Sequence, residues 1–101
     1  MKRYSKVMNK ALTNQEINEN LIKRLRYQSS HRGCKESDII LGKFAEEMLG
    51  GMDSEAVDIY ANFLEESDSD IWDWLVEKTP CPKREYENLL AQIRLNLKDR
   101  V

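Results

Sequence analysis

Residues 13–51 read TNQEINENLIKRLRYQSSHRGCKESDIILGKFAEEMLGG, and this stretch decides the fold class. Thr13 followed by Glu16 has the spacing of a capping box, in which each side chain satisfies a backbone N–H beside the other. Ile17, Leu21 and Leu25 then recur every four residues with Ile22 beside them, one apolar stripe on a helix expected to run to about Ser30. Gly33 interrupts the pattern. It can take the left-handed conformation that ends a helix, where a Cβ is unwelcome. If Gly33 also caps the next helix, Glu36 falls at its third position, where a carboxylate suits unpaired N–H groups. Ile40, Phe44 and Met48 repeat at the same interval with Leu41 flanking, and Gly50-Gly51 stops this second helix.

The same grammar continues downstream. Asp53 is a good N-cap for a third helix with the stripe Val57, Tyr60, Ala61 and Leu64, broadened by Ile59 and Phe63. The polar run from Glu65 to Asp70 contains Ser67 and Ser69 and marks a turn with a new cap. A short fourth helix carries Ile71, Trp72, Trp74 and Leu75. Thr79-Pro80-Cys81-Pro82 is a break, because proline disfavours helix in the residue before it. Pro82 is placed to open a fifth helix, where its missing N–H costs nothing, and Tyr86, Leu90, Ile93 and Leu97 with Leu89 give that helix its face. The expectation is an all-α protein, a compact bundle of five short helices over residues 13–101, preceded by a flexible arm over 1–12. There is no internal repeat and no convincing alternating strand.

Composition narrows the function classes. A chain of 101 residues is one domain's length and buries only roughly two-thirds of the surface it exposes when unfolded. That leaves little room for a deep private cavity and favours a protein that works through its outer face. No apolar run approaches the ~18–20 residues that span a bilayer, so membrane insertion is not expected. The N-terminus shows no secretory apolar core either, so the chain is expected to stay where it is made. Cys34, Cys81 and the lone His31 match neither a zinc pattern nor a disulfide scaffold, and free thiols are expected.

The net charge of −2 conceals an asymmetry. Residues 1–14 hold Lys2, Arg3, Lys6 and Lys10 without an acid, whereas Asp53 to Glu77 holds nine acids without a lysine or arginine. Such a stretch is either a solvated face or an attraction for a basic partner, and it repels phosphate backbones. The first two helices resemble a helix-turn-helix in outline, but Lys35–Leu49 sets four acids against two lysines. A recognition helix needs a basic stripe, so nucleic-acid binding is not expected.

Catalytic patterns are missing from the sequence: there is no phosphate-cradling glycine loop, no Gly-x-Ser-x-Gly elbow and no His-Glu-x-x-His pair. His31 and Cys34 flank one turn without a third orienting group. No enzyme is expected.

The turn itself carries more information. Arg32-Gly33 followed by x-x-Glu36-x-Asp38 and an apolar helix resembles the signature of the succinate dehydrogenase FAD assembly factors, known as SdhE in bacteria and with mitochondrial relatives. Phe63-Leu64-Glu65-Glu66-Ser67-Asp68-Ser69-Asp70-Ile71-Trp72-Asp73-Trp74-Leu75 is similar to that family's Leu-Leu-Glu, Asp-Pro-Asp-Leu and Trp-Leu segment. The likeness covers roughly residues 14–98 and leaves the basic arm outside. Ser37 stands where the family is usually apolar, Ser69 where it has proline, Cys34 where a larger apolar residue is common, and His31 where a second arginine is frequent.

The resemblance implies a chaperone that binds the flavoprotein subunit of succinate dehydrogenase, or of the related fumarate reductase, and promotes covalent attachment of FAD to it. The flavin bond would form on the client, so this chain would hold no cofactor stably. Carried over by position, Arg32, Gly33, Glu36 and Asp38 form the docking site, with His31 and Trp72 added to the partner surface. Arg32 would offer its fork to a carboxylate or carbonyls of the partner, and Gly33 would let the partner's backbone approach. On the residues alone, local roles stand beside these. Gly33 can be a helix stop, Glu36 a cap, Arg32 a partner for Glu36, and Asp38 surface charge. Trp72 and Trp74 cannot both enter a narrow core, since residues two apart lie on nearly opposite sides of a helix. The resemblance places Trp74 at the family's tryptophan position, so Trp74 is assigned to the core and Trp72 to the surface. A generic helical interaction module with another client is the competing reading. A monomer is expected in the bacterial cytoplasm, or in the mitochondrial matrix for a eukaryotic source.

Overall fold

The structure is a computed structural model and describes residues 14–98, with side chains described from Glu19 onward. Five helices follow one another: α1 Asn14–Ser30, α2 Lys35–Met48, α3 Ser54–Phe63, α4 Asp68–Leu75 and α5 Glu87–Lys98. Short 3-10 turns over Leu49–Gly51 and Arg84–Tyr86 precede α3 and α5, and no strand occurs among the described residues. The expected arm over 1–12, the Thr13 cap and the side chain of Ile17 lie outside the described residues. None of the described helices is long and apolar enough to cross a membrane.

The caps follow the chemistry of the side chains. Asp53 accepts the Ala56 N–H at 2.9 Å, and Ser67 accepts the Asp70 N–H at 3.2 Å, so α3 and α4 each begin on a satisfied donor. Their C-termini have no basic residue in the last turn. The free carbonyls are met instead by arginines from elsewhere in the chain. Arg94 of α5 reaches the Trp74 and Leu75 carbonyls at 2.6 and 3.0 Å. Past the end of α4, Glu77 sits at φ 62, a left-handed position usually given to glycine.

The core is aromatic at its centre. Phe63 packs edge-on against Tyr86 with centroids 5.2 Å apart, and Trp74 and Tyr60 each lie 6.4 Å from it. Phe44 closes the cluster 5.7 Å from Tyr60. One buried polar link joins α1 to α3. Ser29 Oγ donates to the Leu25 carbonyl at 2.7 Å, so the Tyr60 hydroxyl is the donor in their 2.5 Å bond. Burial pushes the Tyr60 hydroxyl up to about 12. At Gly42 a Cβ would lie 3.0 Å from Ser30 Cβ, so the missing side chain sets how closely α1 and α2 cross.

Several expectations need correcting. The buried line of α2 is Ser37, Leu41, Phe44 and Ala45, while Ile40 is half-buried and Met48 exposed. The helix is therefore rotated from the stripe that Ile40 and Met48 suggested. In α3, Phe63 is fully buried and Ala61 only partly so. Leu97 is exposed, which shortens the apolar face of α5. Pro82 does not open that helix. Lys83 is extended, with φ −107 and ψ 112, and the chain first makes the 3-10 turn held by the Tyr86 N–H to Lys83 carbonyl bond at 3.1 Å.

Candidate functional site: the Arg32–Gly33 turn

The loop between α1 and α2 is four residues, His31 to Cys34. Its shape follows from two commitments. Gly33 has φ +98, a conformation in which an L side chain is strained, and a Cβ placed there would meet nothing within 4 Å. The glycine is thus required by the backbone, and it also leaves open surface. Asp38, one turn into α2, turns its carboxylate back onto the loop and accepts the Arg32 N–H at 2.8 Å and the Gly33 N–H at 3.3 Å. Asp38 is the brace of the turn rather than spare surface charge. Cys34, not Gly33, is the N-cap of α2: it is extended, with φ −112 and ψ 112, and its carbonyl accepts the Asp38 N–H at 2.8 Å. Glu36 is therefore the second helical residue, exposed, with only a 4.0 Å contact to Cys34 Sγ.

Arg32 points inward. Its Nε donates to Asp68 Oδ1, its Nη1 to the Leu64 carbonyl and its Nη2 to the Glu66 carbonyl, each at 2.6 Å. The side chain is only 12% exposed. The fork that a partner was expected to meet is filled by the chain's own α3–α4 turn, and the local alternative, a pair with Glu36, does not form. A planar guanidinium with donors in three directions suits this site, where a single ammonium could not reach all three acceptors.

The α3–α4 turn is anchored in its own right. The Glu66 carboxylate accepts Lys83 Nζ at 2.6 Å and the Tyr86 hydroxyl at 2.9 Å. Those two bonds hold the Glu66 carboxyl below its ordinary range. The Arg32 turn is thereby connected, through Glu66, to the start of α5.

His31 is exposed and stacks on Tyr27, with ring centroids 3.9 Å apart and planes 9° from parallel. Its Nδ1 lies 2.8 Å from the Tyr27 carbonyl oxygen, which can only accept, so Nδ1 carries the proton. Trp72 is half-buried on α4, whereas Trp74 is buried at 6% exposure, as its assignment to the core required. Cys34 and Cys81 are both free and half-buried. Among the described residues no group of three or more histidine, cysteine or acidic side chains could hold a metal ion.

The protein family described as flavinator of succinate dehydrogenase matches residues 23–96, a span that holds both turns, the second half of α1 and almost all of the rest of the bundle. The chain belongs to that family. Among curated relatives, it is 36% identical over 72 residues to the mitochondrial succinate dehydrogenase assembly factor 2 of Arabidopsis thaliana, a stretch covering 71% of this chain and 38% of that protein. It is 44% identical over 64 residues to the protein of the same name from Lodderomyces elongisporus, covering 60% and 39%. It is 32% identical over 71 residues to the FAD assembly factor SdhE of Acetobacter pasteurianus, covering 70% and 65%. The chain thus spans well under half the length of the first two relatives.

Within the flavinator family frame, the structure brings Arg32, Gly33 and Asp38 into one braced turn with Glu36 exposed beside it. It sets His31 at the edge of that turn and Trp72 on a separate helix. Asp68, Glu66, Lys83 and Tyr86, the residues that hold the turn from behind, carried no site assignment. A signal existed: the stretch 53–77 has no basic residue, so the carbonyls ending α3 and α4 needed donors from outside it.

Proposed function

We propose that this chain is a non-catalytic assembly factor, which docks the outer side of its Arg32–Gly33 turn on the flavoprotein subunit of succinate dehydrogenase and promotes covalent attachment of FAD to that subunit. The observation that carries this reading is the build of the turn. Gly33 offers a backbone surface with open space above it, Glu36 stands exposed alongside, and Asp38 and Arg32 hold the loop rigid from behind. A preformed loop loses little conformational entropy on binding, which is what a docking surface needs. Membership of the flavinator family supports the choice of client.

The division of labour follows from the chemistry. The covalent bond joins a histidine of the client to the flavin ring, and FAD stays with the client. This chain supplies shape, stabilising the client form in which that histidine and the flavin meet. His31 and Trp72 complete the partner surface, and the related fumarate reductase flavoprotein is a second client of the same kind. The free protein is a monomer, acting in the bacterial cytoplasm or, in a eukaryotic source, in the mitochondrial matrix.

Affinity capture with the tagged protein tests the reading. The flavoprotein subunit should be the dominant partner, and Glu36→Lys, which gives up only the 4.0 Å contact to Cys34 Sγ, should lose it. Capture dominated by a protein other than a flavoprotein contradicts the proposal.

A further inference from the structure

Arg32 is held on two sides. Its backbone N–H and that of Gly33 are committed to Asp38 of α2, and each of its three side-chain nitrogens donates one bond, to Asp68 and to the Leu64 and Glu66 carbonyls. The side chain that makes these bonds is 12% exposed, so little of the fork is open to a partner.

We infer that Asp68 is a positioning residue for docking: with Arg32 it forms a latch that fixes the Arg32–Gly33 turn from behind, while the client meets Gly33 and Glu36 in front. This rests on the docking reading above. Asp68 is the first residue of α4, and Ser67 already caps that helix through the Asp70 N–H, so the Asp68 carboxylate is left for Arg32. Behind it, the Glu66 carboxylate ties the same turn to Lys83 and Tyr86, so the latch closes against a fixed support. Asp68 contributes the only charged acceptor of the three that Arg32 meets, and a charge-assisted bond is the stronger kind.

A double-mutant cycle read as affinity for the purified flavoprotein subunit of succinate dehydrogenase tests the latch. Calorimetry is run well below the melting temperature of each variant, with amide resonances of Gly33 and Cys34 recorded on the free protein. Asp68→Ala should weaken binding about tenfold and shift both resonances, the size expected for one lost charge-assisted bond. Asp68→Asn, which keeps an acceptor oxygen for Arg32 Nε, should restore most of both. Arg32→Ala combined with Asp68→Ala should bind no more weakly than Arg32→Ala alone.

Losses that add in the double variant overturn the latch, because two side chains touching the client separately behave that way. Wild-type affinity for Asp68→Ala, with binding lost in Arg32→Ala and Glu36→Lys, also overturns it and makes Arg32 a direct contact. Wild-type affinity in every variant, Glu36→Lys included, overturns the docking reading itself and the latch with it.

Discussion

Arg32 and Asp68, 36 positions apart in sequence, meet at 2.6 Å between the end of α3 and the start of α4. The same guanidinium also takes the Leu64 and Glu66 carbonyls. A residue that sequence reading places at the front of a docking loop therefore acts as its rear support, and the four residues between α3 and α4 are part of the same construction.

Removing that support should be costly to the fold. Arg32→Ala leaves two carbonyls and a carboxylate without their donor, so a loss of about 2–3 kcal/mol is expected. For a domain of this size the melting temperature should fall by roughly 10–20 °C. Arg32→Lys should recover less than half of the loss, because one ammonium cannot serve three acceptors in different directions. Thermal melts of the two variants check this; a lysine variant as stable as the wild type contradicts it.

Ser37 is completely buried, and its Oγ has no hydrogen-bond partner among the described residues. Ser37→Ala removes an unsatisfied hydroxyl from the core face of α2 and should stabilise the protein by about 1 kcal/mol. Chemical denaturation with an unchanged m-value reads this directly, and a loss of stability would show that the hydroxyl has a partner.

Glu77 occupies φ 62 beyond α4, with its carboxylate largely exposed and 3.9 Å from Arg94. Glu77→Gly relieves the left-handed strain and gives up only a weak surface pair, so a gain of about 0.5–1 kcal/mol is expected. Glu77→Ala keeps the strain and should not gain.

The buried Tyr60 hydroxyl sets an alkaline limit. Its folded pKa of about 12 exceeds the ordinary value of 10.0, so its neutral form is favoured by folding. That contribution is complete below pH 10 and is lost as the pH rises from there through about 12. Tyr86 is shifted in the same direction, first by burial and then by its bond to Glu66. At the acid end Glu66 is depressed, so its contribution is present above its ordinary value of 4.5 and fades as the pH falls through the lowered pKa. Tyr60→Phe should flatten part of the alkaline loss in a stability–pH profile; an unchanged profile contradicts the assignment.

What was legible in the sequence was what is local. The Asp53 cap, the stop at Gly50-Gly51 and the Ser67 turn each depend on neighbours within a helical turn, and each stands where it was expected, while the inward Trp74 followed from the family resemblance. Helix rotation was less legible. In α2, Ile40 and Met48 offered the more regular period, but Leu41, Phe44 and Ala45 are the apolar residues that the bundle buries completely. Pro82 read as a helix start because nothing nearby reveals that Lys83 is drawn to Glu66, 17 positions away. The turn's position and its glycine were readable, as was its membership of the flavinator family. Its bracing was not, because every bond of the Arg32 side chain reaches more than thirty residues along the chain.

In the proposed function, this chain promotes flavin attachment by docking through the front of the Arg32–Gly33 turn. In-gel flavin fluorescence of the flavoprotein subunit, in cells deleted for this protein and complemented with either wild type or Glu36→Lys, tests it most directly. Fluorescence should be restored by the wild type and stay low with Glu36→Lys at equal protein level. Fluorescence unchanged by the deletion would show that flavin attachment does not depend on this chain.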